Sequence, residues 1–327
     1  MKKKFKIDNI SLLIAVVLLA AMYVAGARMY ERFGSVSTIL NLFNDNAYLI
    51  VVAVGMTFVL LTGGIDISVA STLAFTGVFS AYLLEKGWPA GIVIPLVLAL
   101  GILVGCVQGY AIYAFQIAPF LVTLVGQFFM RGMCAVISTV SIPIDNGFYK
   151  SAALKKISFV LPSGGRPKLY YYVFVALFVV LAAWYVLRYT RFGRAVYAVG
   201  SNEQSAQYMG LDVKAVKIGV YGISGFCAAL GGVLFSFYTL AGYSLQNMGL
   251  ELDAISSAVI GGTLLTGGVG TVIGSLVGVL IQGIIQTIVT YQNLNTWWTK
   301  VTFAGILCFF ILIQRFAAIR ADKKKKG

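Results

Sequence analysis

The chain has 327 residues, of which 59% are apolar and 11% charged, with a formal net charge of +14 and no histidine. A soluble domain of this size carries about a quarter charged residues, so a water-exposed surface cannot be built from so few. The basic excess gathers at Lys2, Lys3, Lys4, Lys6 and Lys323 to Lys326, beside long apolar runs. That placement excludes a nucleic-acid module and points to membrane lipid.

In chain order, apolar stretches long enough to be read as membrane helices cover 10–27, 46–62, 67–84, 90–114, 119–141, 169–187, 217–240, 254–266, 270–290 and 299–316. The expectation is an all-α, polytopic protein with about ten transmembrane helices, of which 46–62 and 254–266 are short or broken. It forms a single transmembrane domain over 1–327, with basic tails at 1–9 and 317–327. The first stretch resembles a secretory signal core, but it is longer than usual and further spans follow, so it is read as a retained helix.

With the N-terminus inside, fifteen Lys and Arg fall on the inner side: four at the start, five from Arg188 to Lys217, and six from Arg315. Nine fall outside, five of them between Lys150 and Lys168. The balance predicts both termini in the cytoplasm.

The third stretch opens at Thr62-Gly63-Gly64-Ile65-Asp66-Ile67-Ser68. Two glycines let a helix unwind, and an acid among apolar residues is costly unless it is used. Gly63, Gly64 and Asp66 therefore either shape a translocation pathway or, with Ser68, cap the helix that starts near 67. Arg131, inside 119–141, either needs a buried partner such as Asp66 or reaches to the interface.

The segment 142–168 holds Pro143, Pro162, Ser163, Gly164, Gly165 and Pro167 and reads as an extended external loop. In 188–216, Ser201 stands three residues before Gln204, the spacing of a capping box. A helix over 202–209, carrying Glu203 and Gln204 and stopped by Gly210, is expected there as a docking element on the cytoplasmic side. Glu251 and Asp253 precede the eighth stretch. They form either an acid-x-acid pair of the kind that holds metal in sugar-transfer enzymes or an exposed helix start favoured by the macrodipole.

Leu60-Leu61-Thr62-Gly63-Gly64 recurs as Leu264-Leu265-Thr266-Gly267-Gly268, with Ser71 and Ser275 at matching distances. Either this is a paired glycine break of the kind that points to the substrate route of repeat-built transporters, or the match of five common residues arises by chance, since glycine breaks are frequent in membrane helices. The four cysteines are isolated in apolar runs, so neither a disulfide framework nor a metal site is expected. No Gly-Lys dipeptide occurs, hence no P-loop, and ATP hydrolysis by this chain is not expected.

Residues 55–69, Glu251-Leu252-Asp253-Ala254-Ile255, Val259 to Thr263 and Gly267 to Thr271 resemble the motifs of bacterial sugar ABC-importer permeases of the ribose class. Pro119 to Leu124 with Arg131-Gly132, and Thr190 to Gly193 with Tyr197 to Gly200, match two more blocks in the same order. Ser141 to Ile144 and Trp297 to Lys300 look most like galactofuranose permease subunits. Ala70 departs from the family's usual glycine. The resemblance implies import of a monosaccharide across the inner membrane by alternating access. It implies a second permease, identical or related, and an external sugar-binding protein. It also implies separate ATP-binding subunits that hold ATP and Mg, leaving no cofactor in this chain. Its coupling helix falls where 202–209 lies. An ion-coupled secondary transporter is the alternative from the residues, weakened by the lack of histidine.

Overall fold

The computed structural model describes residues 2–31, 33–158, 167–295 and 297–326. Pro162 to Gly165, Arg166 and Arg32 lie outside the described residues. The helices are α1 (Lys2–Met29), α2 (Val36–Leu61), α3 (Val69–Glu85), α4 (Ala90–Ala114), α5 (Pro119–Ile137), α6 (Gly147–Leu154), α7 (Tyr171–Tyr189), α8 (Arg191–Ser201), α9 (Glu203–Tyr208), α10 (Val213–Thr239), α11 (Leu250–Ile260), α12 (Val272–Tyr291) and α13 (Trp297–Lys326). Among the described residues four short strands, β1 (Ile142–Pro143), β2 (Lys156–Ser158), β3 (Lys168–Tyr170) and β4 (Ala241–Gly242), form two antiparallel pairs.

Among the described residues seven helices are long and apolar enough to cross a membrane: α1, α2, α4, α5, α7, α10 and α12. Each of the ten predicted stretches falls on a helix, but three are not full-length apolar spans. Helix α3 has 17 residues, and the apolar part of α13 is Trp297–Phe310. Helix α11 has only 11 residues, about 16 Å of rise. The predicted span 254–266 is therefore half helix. Gly262, Gly267, Gly268 and Gly270 all take positive φ and carry irregular backbone on to α12. Conversely, α2 starts ten residues before the predicted 46, because Ser35 accepts a hydrogen bond from the Thr38 amide (3.3 Å) and caps it.

Helices α2 and α10 form the centre. Nearly all of α2 from Asn46 onward is buried, and α10 packs on α2, α3 and α4. The α4–α10 crossing is built on Gly101, Gly105 and Gly109, spaced by four on one face. A methyl group on Gly105 would strike the Tyr221 carbonyl of α10, and one on Gly101 would strike Ala229. Helices of a membrane protein gain close backbone contact through such small residues.

Two ends of the bundle are fixed by contacts. At one, the α6 end, Ile142 pairs with Gly242 across β1 and β4, and Asn44 of α2 holds Lys168 O (2.9 Å) and Tyr170 N (3.1 Å). At the other, the α8–α9 end, the Leu61 carbonyl accepts from Gly268 N (2.8 Å) and Tyr197 Oη donates to Gly270 O (2.8 Å). Segment 142–168 is thus not a plain extended loop: it holds α6, whose Asn146 cap accepts from Phe148 N (3.0 Å), and strand β2, which pairs with β3.

Candidate functional site

The Thr62–Ser68 segment is the non-helical link between α2 and α3. Gly63 turns the chain at φ +77°. Asp66 is 1% exposed. Its Oδ1 accepts from Ser68 N (3.0 Å) and Ser68 Oγ (2.6 Å), a local turn that sets the start of α3. Its Oδ2 accepts from Ser224 Oγ of α10 (2.7 Å). With the Ser68 proton committed to Asp66, the Gln108 amide of α4 donates to Ser68 Oγ (3.1 Å). Four helices therefore meet at one buried polar node. Gly126 of α5 packs on the Gln108 amide, and Gly64 leaves the space that the Tyr221 hydroxyl fills.

Asp66 does not pair with Arg131. The guanidinium points toward the α6 end, where Nη1 donates to Ser244 O (2.6 Å) and Gln246 O (3.1 Å). Arg131 follows Thr123 by eight residues, and Thr123 Oγ1, which donates to Pro119 O (2.9 Å), lies 3.3 Å from Ile65 O beside the node. A helix rising 1.5 Å per residue puts roughly 12 Å between the two levels. Arg131 is satisfied by carbonyls of the loop before α11, so it fixes that loop and does not snorkel.

Glu251 is 8% exposed and accepts from Gln127 Nε2 of α5 (3.3 Å). Asp253 hydrogen-bonds Gln282 of α12, with Lys300 of α13 and Glu251 within electrostatic reach. The expected exposed helix-start pair is therefore corrected: one acid is buried, and residues two apart on a helix diverge, so the pair does not converge on one ligand.

The two Leu-Leu-Thr-Gly-Gly copies touch. Besides the Leu61–Gly268 bond, a side chain on Gly267 would meet Gly63, and Thr57 Oγ1 bonds Ser275 Oγ (2.6 Å). Gly200 of α8 sits against both: a methyl group there would overlap the Leu61 carbonyl and approach Gly268 N. Ser224 and Gln108 carry no sequence signal of their place in the polar node, because small and polar residues in apolar helices do not show which neighbour they face; Tyr197 and Gly200 stand in a block of the family resemblance, which does not show that they seat on the glycine breaks.

The loop 188–216 holds two helices. Ser201 ends α8 and its Oγ donates to Tyr197 O (2.7 Å), so the Ser201–Gln204 capping box is not formed. Asn202 caps α9 instead, accepting from Ser205 N (2.7 Å). Gly210 stops α9 at φ +78°, as expected, with Leu211 N returning to Ala206 O (3.1 Å). Glu203 pairs with Lys217 of α10 (2.6 Å), and Gln204 lies exposed beside it.

Fold and site together define a polytopic helical membrane protein with a glycine-broken polar centre. Residues 38–312 match the model of the "Branched-chain amino acid transport system / permease component" family, and the chain belongs to that family. It is 44% identical to the inner membrane ABC transporter permease protein YjfF of Escherichia coli, over 98% of this chain and 96% of that one. It is 36% identical to the fructose import permease protein FruG of Bifidobacterium longum (99% and 96% covered). Identity to the ribose import permease protein RbsC of Escherichia coli is 32% (95% of each). No solved structure matches.

Proposed function

We propose that this chain is the membrane-spanning subunit of an ATP-driven importer that moves a monosaccharide, with a galactofuranose-like sugar favoured. The observation that carries the reading is the seating of α8 on both glycine breaks. Gly200 lies against Leu61 and Gly268, and Tyr197 holds Gly270. A rigid element on a surface loop that touches two discontinuous helices is what an external motor needs to move them. Under this reading the α8–α9 end and both termini are cytoplasmic, and α9, with Glu203, Gln204 and Gly210, lies in the docking surface for a separate ATP-binding subunit. The second permease, identical or related, packs beside this one, and an external sugar-binding protein docks at the α6 end.

The relatives' names include fructose and ribose, which supports a monosaccharide class. The blocks that look like galactofuranose permeases, Ser141 to Ile144 and Trp297 to Lys300, both lie at the α6 end, where substrate would enter. Lys300 there lies within electrostatic reach of Asp253, beyond ion-pair distance. Gly63, Gly64 and Asp66 shape the inner part of the route, and Arg131, Glu251 and Asp253 its outer part.

Reconstitution with the candidate ATP-binding subunit and binding protein tests this. Uptake of a labelled sugar panel should require ATP and both partners, with galactose in its furanose form preferred over ribose and fructose. Uptake by the chain alone, driven by a proton or sodium gradient, would establish the ion-coupled alternative instead.

A further inference from the structure

Outside the polar centre, a crevice of about 520 Å³ opens between α6 and α7. Two matching stripes face each other across it. Phe148, Ser151, Ala152 and Lys155 follow the i, i+3, i+4, i+7 pattern on α6 and its cap, and Tyr171, Phe174, Val175 and Phe178 repeat it on α7. Phe237 of α10 lines it too. The two walls are tied at one level, where Lys155 O accepts from Tyr171 N (3.1 Å). From there the α7 stripe runs seven residues along a spanning helix to Phe178, which is 70% exposed.

The lining is wrong for a sugar. Apart from Ser151, the Tyr171 and Tyr172 phenols and the lysine at the rim, it offers hydrocarbon and aromatic rings, and sugar hydroxyls buried there without partners would be costly. It is right for an acyl chain. The Lys155 ammonium at the rim lies over the Tyr171 ring (5.0 Å), and Lys156 and Lys168, outside the crevice lining, are exposed on the paired strands β2 and β3 that flank Lys155 and Tyr171. Among the described residues no carboxylate lies within ion-pair distance of these three, whereas Lys150 is paired with Asp145. These lysines belong to the basic group at 150–168, which runs against the positive-inside distribution under the proposed orientation.

We propose that this crevice is a binding site for an anionic phospholipid, with one acyl chain between α6 and α7 and the headgroup phosphate on Lys155, Lys156 and Lys168. The site is independent of the transported substrate. It gives the outside lysines a partner and holds α6 against α7.

Native mass spectrometry of the full chain, titrated with dioleoyl phosphatidylglycerol or dioleoyl phosphatidylcholine, tests it. The two lipids share chains and differ in charge, so phosphatidylglycerol should be retained preferentially. Lys155→Gln and Lys156→Gln should each weaken that retention about fivefold, as expected for one basic residue at an anionic surface. Ala152→Trp, which fills the crevice, should reduce retention of both lipids. Glycerol phosphate should not displace the lipid. Equal retention of the two lipids, unchanged preference in the lysine double variant, or displacement by glycerol phosphate would each overturn the proposal. So would protection of Lys155 and Lys156 from acylation by the external binding protein but not by phosphatidylglycerol, which would make the rim a protein surface.

Discussion

Asp66 accepts three hydrogen bonds and, among the described residues, has no cation within ion-pair distance, which changes what its replacement should do. In Asp66→Asn, the amide oxygen can keep both Ser68 bonds, and the amide nitrogen can donate to Ser224 Oγ, which then accepts. The loss is from charge-assisted to neutral bonds, about 1–2 kcal/mol. Asp66→Ala leaves Ser68 N and Ser224 Oγ unsatisfied in a dry site, at about 1–3 kcal/mol each. Thermal unfolding in detergent should therefore rank wild type, Asn, then Ala. Uptake by Asp66→Asn should remain measurable. A collapse of the Asn variant to the level of Ala would mean that the charge itself is required. The sequence shows an acid beside two glycines inside apolar surroundings. It does not show Ser224, 158 positions away, because one serine in an apolar helix looks like any other.

At the level of elements, two glycines of the α8–α9 region make opposite demands. Gly210 has positive φ but open space around it. Gly210→Ala should cost only the backbone strain, about 1 kcal/mol, and leave most transport intact. Gly200 has ordinary helical φ but no room. Gly200→Ala should force α8 away from Leu61 and Gly268, so that stimulated ATP hydrolysis continues while uptake falls at least tenfold. Equal effects of the two alanines would remove the contact from the coupling path. Glu203→Gln breaks only a half-exposed pair, worth at most about 1 kcal/mol, so any large loss of ATPase binding would come from the proposed docking surface. The helices themselves were legible, since apolar run length is what lipid demands of a span. The halving of α11 and the extra helix α8 were less so. The first depends on four positive-φ glycines acting together, and the second is an 11-residue amphipathic helix that seats on distant segments.

For the whole molecule, the decisive arrangement is which loops share an end. Tyr30 lies against Tyr291 (5.2 Å between rings), so α1 finishes where α12 finishes. The β1–β4 pairing puts the α5–α7 loop with the end of α10, and the Leu61–Gly268 bond puts both glycine breaks with α8. The charge distribution by itself gives fifteen basic residues against nine, a margin narrowed by the lysines of 150–168. The fold removes the freedom to place those lysines with α8, because they stand at opposite ends of the bundle. Orientation then becomes one binary question. Tyr208 is 90% exposed on α9 and Lys156 is exposed on β2, so cysteines placed there should be reachable without disturbing the core. Cys308, the exposed native thiol, is first changed to serine. With a membrane-impermeant maleimide on intact spheroplasts, Lys156→Cys should label at once. Tyr208→Cys should label only after permeabilisation, because α9 is expected to face the cytoplasm. The reverse pattern would place α9 outside, where no ATP-binding subunit can reach it, and the importer reading would fall with it.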